Sequence, residues 1–383
     1  MSSEGAATSW TGGDGCTCTA RCLHLSHECR AVTYGGKQYV LSEQSTFRDS
    51  PFGADGLDID NTTVRPDLLY SYELVLWDAN SSGAGAWTTL ADLSDEFFDL
   101  FPHTMMQFPL AESYEALEVD GCSDATSDNV TRTMRTSNLY HVSSADLLDD
   151  LLVITLRNVN AIVAIDVDDG DIEWIIASPG AIAANSSKVL ALGGASEAAS
   201  ASPAAPQESS FYEPHGLKLI SKDKFFFIDD GQTRRDCRGD DDADADCWSR
   251  AIEMTVDTDA GTATITRQFE FPLHDESFSY ASSGLANVEK SDAYNFIGGV
   301  FWPINPPVND RYLIAFDSTA NGPYYFWEVY FNGDDEDSIE VVAELETSDG
   351  HGLGMEGQYR ATPITSIFGE AHEPTVKFTA GEV

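Results

Sequence analysis

Short apolar, β-branched and aromatic runs alternate with polar turns along most of the chain, a pattern that predicts β-strands. Lys37-Gln38-Tyr39-Val40-Leu41, Leu151-Leu152-Val153-Ile154-Thr155-Leu156, Lys224-Phe225-Phe226-Phe227-Ile228 and Tyr312-Leu313-Ile314-Ala315-Phe316 are examples. Helical periodicity is scarce, with one short helix expected from Asp92 to Phe101. A weak unit recurs. Its second half is an apolar strand, an acidic turn with Gly, then an aromatic or β-rich strand. It occurs at Leu76-Trp77-Asp78…Gly85-Ala86-Trp87, at Ile165 to Trp174, at Val256 to Thr264 and, degenerate, at Phe316-Asp317…Asn321-Gly322…Phe326-Trp327. Asp or Asn with Gly supplies the positive-φ positions of a hairpin. The first half is strand, polar turn, strand: Cys29 to Leu41, His141 to Leu156, His215 to Ile228 and Ser283 to Gly298. Two hairpins make four antiparallel strands, one propeller blade. The expected fold is therefore all-β, a β-propeller of four-stranded antiparallel blades, with four units and a fragment near Ile339 to Ile364. A Cys-rich segment, residues 1–26, precedes the propeller, residues 27–383. Residues 181–210, rich in Ala, Ser and Pro, read as a surface loop or linker within it.

The length, 383 residues, is enough to bury a sizeable core, and 42% hydrophobic with 11% aromatic residues is a globular composition. Charge changes the picture more. Lys and Arg total 21 against 64 Asp and Glu, a formal net charge of −43. That excludes a general nucleic-acid or anionic-membrane binder, which needs a basic face. It suits salty surroundings, where self-repulsion is screened, or a solubilising surface. No apolar run approaches the roughly 20 residues of a membrane-spanning helix. Met1-Ser2-Ser3-Glu4-Gly5 has no basic or apolar region of a signal peptide. N-x-Ser/Thr sequons at Asn61, Asn80, Asn129 and Asn185 hint at a secretory route.

Seven cysteines is an odd number, so at least one is free or pairs between chains. Cys237 and Cys247 bracket the acidic loop Arg238 to Asp246, and a disulfide between them would close it. Cys16, Cys18, Cys22 and Cys29 crowd the N-terminus with His24 and His27. They lack C-x-x-C spacing, so disulfides or thiols are expected there rather than zinc. Asp166 to Glu173 lacks the twelfth-position glutamate of an EF-hand loop and reads as a hairpin turn. No metal or other cofactor is expected.

The sequence has no G-x-S-x-G elbow, Walker loop, strand-borne G-x-G-x-x-G or H-E-x-x-H. What recurs is a histidine expected just before the first strand of a unit: His27, His141 and His215. If each opens the first strand of a blade, all three converge on the central channel. The alternative for any one of them is a structural, hydrogen-bonded histidine. Arg157 follows the strand Ile154-Thr155-Leu156. A guanidinium ending a buried strand needs solvent or an anion. It grips sulfate or phosphate through two oxygens, or pairs with one of the many acids.

At these residues the chain resembles the bacterial-type aryl sulfotransferases, the family that takes sulfate from a donor ester and not from the nucleotide donor. The most specific segment is Tyr140-His141-Val142-Ser143-Ser144, then Ile154-Thr155-Leu156-Arg157-Asn158 and Ile165-Asp166…Gly170-Asp171-Ile172-Glu173-Trp174. His27-Glu28-Cys29-Arg30-Ala31-Val32, Pro214-His215-Gly216…Asp229-Asp230-Gly231, Ser249-Arg250-Ala251-Ile252-Glu253 and Gln358-Tyr359-Arg360-Ala361 follow the family pattern in order. The resemblance implies a six-bladed propeller that moves a sulfuryl group from a phenolic sulfate to a phenol through a sulfohistidine. It puts His215 at the sulfated histidine, His141 and Arg157 at the groups that grip the sulfuryl oxygens, and His27 at a further channel histidine. Ser143 stands where the family usually has Asn, leaving a shorter hydrogen-bonding reach at a substrate-binding position. The family carries further blades ahead of the His27 unit. Either this propeller closes differently or the chain is the later part of a longer one. Implied partners are small phenols and their sulfate esters. The competing reading is a non-catalytic binding or interaction propeller derived from the same family. Oligomeric state is not legible.

Overall fold

A computed structural model describes the backbone of residues 8–11, 17–20, 24–49, 57–59, 62–64, 68–78, 87–93, 114–122, 130–137, 140–178, 187–193, 210–231, 249–270, 288–290, 294–297, 300–303, 311–316, 324–331 and 339–347. Side chains are described for residues 31–43, 72–78, 88–91, 93, 140–178, 187–193, 210–231 and 249–269. The described residues are all-β, apart from one 3-10 turn at Arg157–Val159. Among them no helix is long and apolar enough to cross a membrane. The chain divides into two compact units, residues 1–192 with 258–261, and residues 193–257 with 262–383.

The first unit holds two large sheets. In sheet I, His24–Tyr34, Lys37–Asp49, Leu68–Trp77 and Trp87–Asp92 pair antiparallel in chain order. The hairpin Tyr114–Cys122 with Val130–Ser137 extends it, Val130–Ser137 lying parallel to Leu68–Trp77. The two-residue turn between Tyr34 and Lys37 is Gly35-Gly36, with φ of 54° and 75°. Positive φ at both central positions is what a tight hairpin following strand twist demands, and glycine adopts it at no steric cost. Sheet II runs Val142–Leu148, Leu151–Leu156, Ala161–Asp166 and Ile172–Ala177, again antiparallel in chain order. Every residue of Leu151–Leu156 is buried. A strand covered on both faces reads as a continuous apolar run, not an alternation, which explains this segment's sequence. Leu41, Leu74 and Leu76 of sheet I and Val142, Leu152, Ile154 and Val163 of sheet II share one core.

In the second unit, Pro214–Ser221, Lys224–Asp229, Arg250–Asp257 and Thr262–Glu270 form the antiparallel strands of sheet III. Its core is aromatic. Phe225, Phe226 and Phe227 are fully buried, and Phe211 meets Phe227 edge to face with centroids 5.2 Å apart. Sheet IV runs Val288–Lys290, Arg311–Phe316, Tyr324–Phe331 and Ile339–Thr347.

The antiparallel four-stranded sheets are of the kind the repeat predicts, and three of the units pair as read. Sheet IV differs. Phe316 and Phe326, expected in the second hairpin of a unit, lie on strands that pair as the middle hairpin, and Ile339–Thr347, part of the stretch read as a fragment, is the outer strand. Tyr294–Ile297, expected to join the fourth unit, pairs instead with Val300–Pro303 in a separate ribbon. Two aromatic strands around an Asn-Gly turn look alike whichever hairpin they form, so the local pattern could not choose. The expected helix at 92–101 begins on a strand residue, Asp92, and its residues from 94 on lie outside the described ones. The stretch 181–210 is not all loop. Val189 bridges Ile175 in parallel, with the Ile175 amide donating to the Lys188 carbonyl (2.9 Å) and the Leu190 amide to the Ile175 carbonyl (2.8 Å). Leu190 is buried, so residues 188–190 lie along the outer strand of sheet II.

Two expectations follow from this packing. Ile154→Ala removes a fully buried side chain from the core shared by sheets I and II. It should cost about 2–5 kcal/mol, read from the denaturant midpoint. Tyr34 donates its phenol proton to Asp168 Oδ1 at 3.1 Å. Loss of solvent, that hydrogen bond and the charges of Asp168, Asp150 and Asp166 raise its pKa above 10.0. Its contribution to stability is therefore full below the unfolded tyrosine value and fades as pH rises through the higher folded one. The phenolate titration of Tyr34→Phe, subtracted from the native curve, should isolate one late-titrating tyrosine.

Candidate functional site

The residues singled out by sequence fall in both units: His27, His141, Ser143 and Arg157 in the first, His215 in the second. His27 lies within the strand His24–Tyr34, and its side chain is outside the described ones. Register shifts there between Leu25 and Cys29, so Ser26, His27 and Glu28 bulge opposite Glu43, a fully buried carboxylate. Cys237 and Cys247, the expected disulfide, lie outside the described residues, as do Cys16 and Cys22.

In sheet II the chain enters its first strand through His141, whose φ is 45°. That left-handed conformation is uncommon for a residue with a side chain. The Arg157 amide donates to the His141 carbonyl (2.9 Å) and the Asn158 amide to the Tyr140 carbonyl (3.1 Å). The imidazole and guanidinium are thus borne by backbone stations fastened to each other. Next comes a bulge. Val142 faces Leu156 and Ser144 faces Thr155, which leaves Ser143 as the extra residue. The bulge turns both serine hydroxyls toward Thr155 Oγ1, Ser143 at 2.9 Å and Ser144 at 2.7 Å. Thr155 can donate to the Ser144 carbonyl (3.3 Å) and accept from both serines. Ser143 is fully buried in this cluster, not held open.

Sheet III repeats that entry. The Gly231 amide donates to the Tyr212 carbonyl (3.3 Å), as Asn158 does to Tyr140. Glu213 has φ of 53°, as His141 has 45°. Pro214 faces Asp229, the last residue of its strand, as Val142 faces Leu156. In this alignment of the two sheets Glu213 takes the station of His141, Asp230 takes that of Arg157, and His215 takes that of Ser143. The expectation that the three histidines share one place before a first strand therefore needs correcting. Only His141 precedes its strand; His215 is the second residue of Pro214–Ser221 and His27 lies inside its own. Counted from Tyr140 and Tyr212, His141 stands one residue along and His215 three.

His215 is 3% exposed, and its surroundings are polar. Its Nδ1 lies 2.9 Å from the Glu213 carbonyl oxygen and 2.9 Å from Asp230 Oδ2. Both partners are acceptors, so Nδ1 carries a proton. In the neutral ring Nε2 is then the unprotonated nitrogen, the one able to act as base or nucleophile. Gly216, at φ 57°, opens the bulge between His215 and Lys218 that follows. Glycine is the residue that tolerates this turn of the strand.

The neighbouring strand fastens the carboxylates. Ser249 Oγ donates to the Asp230 carbonyl at 2.8 Å. Arg250, fully buried, donates from Nε to Asp229 Oδ2 at 2.9 Å, from Nη1 to Gln268 Oε1 at 2.6 Å and from Nη2 to the Ser210 carbonyl at 2.5 Å. Asp229 Oδ1 accepts the Tyr212 amide at 2.9 Å. Farther along, buried Glu253 meets Lys224 Nζ at 3.3 Å, Arg267 Nη1 at 3.6 Å and the Thr266 hydroxyl at 2.8 Å. The sequence pattern contained Asp229-Asp230-Gly231 and Ser249-Arg250…Glu253, but it gave these residues no role. The available signal was charge within otherwise apolar strands. Among the described residues no group of three or more His, Cys, Asp or Glu is placed to hold a metal ion.

Arg250→Met breaks a pair whose side chains are both fully enclosed and leaves the Asp229 carboxylate without its cation. A loss of about 3–5 kcal/mol is expected. In a cycle with Asp229→Leu, the double variant should recover much of that loss, because no lone buried charge remains. Denaturant melts of the four proteins measure it.

Comparison with known proteins adds an independent finding. No curated protein matches the sequence. A family model described as Arylsulfotransferase (ASST) matches residues 86–304, which take in sheets II and III with the stations of His141, Ser143, Arg157, His215, Asp230 and Arg250. That match spans more than half of the 383 residues, and the chain belongs to the arylsulfotransferase family.

Proposed function

We propose that this protein is an aryl sulfotransferase that carries the sulfuryl group on His215 between a phenolic sulfate ester and a phenol. The observation that carries the proposal is the buried His215 ring, whose Nδ1 meets two acceptors within a chain of this family. Sulfuryl transfer at neutral pH needs a nucleophile that is not blocked by a proton. An imidazole with an unperturbed pKa of about 6.5 qualifies, provided one nitrogen stays unprotonated.

The family roles give the remaining assignments. Arg157 offers paired N–H donors to the sulfuryl oxygens, whose charge redistributes as the S–O bond breaks. His141 shares that task and, when protonated, gives a proton to the departing phenolate and takes one from the incoming phenol. His27 is a further histidine of the site. Ser143 has the lesser part, because its hydroxyl must turn from Thr155 to reach a substrate. The covalent intermediate implies ping-pong kinetics. The four-stranded sheets suit blades of a propeller formed by residues 27–383, and we assign that architecture here. A non-catalytic family member is the second reading. It is favoured by Ser143, which stands where an Asn is usual and is enclosed.

Purified protein should release phenol from an aryl sulfate when an acceptor phenol is supplied. The peptide containing His215 should carry a sulfate mass adduct when the acceptor is withheld. His215→Ala should abolish both. Arg157→Ala should slow transfer on the order of 10²-fold or more, as loss of one charge-stabilising donor does. Ser143→Ala should change the rate by only a few-fold. A folded protein with neither transfer nor adduct would establish the second reading.

A further inference from the structure

The contacts around His215 and Asp230 assign one more residue to the reaction, and the assignment rests on the reading of His215 as the group that accepts sulfate. We propose that Asp230 is the positioning residue of His215, holding the ring so that Nε2 is the atom that takes the sulfuryl group. Asp230 Oδ2 lies 2.9 Å from Nδ1, and its side chain is fully enclosed. Its backbone is fixed from two sides, by the Ser249 hydroxyl on its carbonyl and by the Gly231 amide on the Tyr212 carbonyl. The carboxylate has little freedom to leave the ring. The Glu213 carbonyl holds the same nitrogen from the strand entry.

The electron count shows what the carboxylate does. The Nε2 lone pair forms the N–S bond as the bond from sulfur to the aryl oxygen breaks. That electron pair departs with the phenolate, which takes its proton from a separate acid. The Nδ1 proton stays in place throughout. A ring bonded at Nε2 and protonated at Nδ1 is an imidazolium, so positive charge develops 2.9 Å from Asp230. A fixed anion there stabilises the intermediate and the step leading to it, as the aspartate of a serine-protease triad does for its histidine. When the acceptor phenol arrives, its oxygen attacks sulfur after losing its proton. The N–S pair returns to Nε2, and the ring regains its starting state.

The sequence order makes the placement economical. Asp229 and Asp230 are consecutive, yet they serve different partners. Asp229 accepts from Arg250 and the Tyr212 amide, and Asp230 faces the ring. One carboxylate secures the strand end from which the other reaches His215.

The test combines nitrogen NMR with pre-steady-state kinetics on the full chain. Protein carrying ¹⁵N-labelled histidine should show His215, assigned on the native chain through its backbone link to Gly216, protonated at Nδ1 and unprotonated at Nε2. This first arm needs no substitution, so it does not depend on a variant that folds. Asp230→Asn offers an N–H where the carboxylate offered a lone pair. It should shift His215 toward the Nε2–H form and slow the phenol burst from an aryl sulfate on the order of 10²–10⁴-fold. Asp230→Asn with native circular dichroism but an unchanged burst overturns the proposal. So does a native His215 protonated at Nε2, or a lost burst with an unaltered ring. A native protein without transfer, whose His215 ring still depends on Asp230, supports the positioning geometry and fails the transferase reading alone. Active protein with the opposite tautomer fails this inference alone.

Discussion

A guanidinium enclosed without exposure, Arg250, holds the polar end of sheet III together. It reaches Asp229 on the strand to one side, Gln268 on the strand to the other side and the Ser210 carbonyl on the segment leading in. Asp229 in turn receives the Tyr212 amide. Three strands and the entry to the first are therefore tied to one charge pair. A charge taken out of water is tolerated only when its hydrogen-bonding capacity is met, and here each arm of the guanidinium has an acceptor. The residues around the candidate site, Tyr212 to His215 and Asp229 to Gly231, are the ones this network locates. The histidine is aimed by a scaffold whose own order derives from an interaction that never touches it.

Some of this was legible in the residues and some was not. The strands were readable because apolar runs and Gly-containing turns recur, and Gly35-Gly36 meets the φ requirement of a tight hairpin. Three units were readable for the same reason. The pairing in sheet IV was not, since a hairpin carries no local mark of its place in a meander. Stations at the site were also hidden. Counted from the entry residues Tyr140 and Tyr212, His141 stands one residue on and His215 three, so Ser143 is the residue at the station of His215. Arg157 was noticed because a guanidinium that ends an apolar strand needs solvent or an anion. Asp230 was not, because one acid among 64 is inconspicuous until its distance to a ring is known.

The contrast between the two strand entries is chemically informative. The same backbone device carries a histidine at its left-handed position in sheet II and a glutamate in sheet III. Past the second strand it is followed by an arginine in one and an aspartate in the other. The cationic version suits an oxygen-rich anionic group, the anionic version suits a ring that gains positive charge.

The bridge from Val189 to Ile175 bears on how copies of this chain behave toward each other. An exposed strand edge is a template on which another chain can add itself, and here the chain's own residues occupy part of that template. A second barrier is the net charge of −43, which acts over distance between whole molecules. The two respond differently to surroundings. Salt at molar strength shrinks the reach of the charge to about 3 Å, while a backbone hydrogen bond is nearly indifferent to it. In brine, resistance to fibre-like association at this edge would rest on a few amides around Val189 and no longer on the excess of carboxylates.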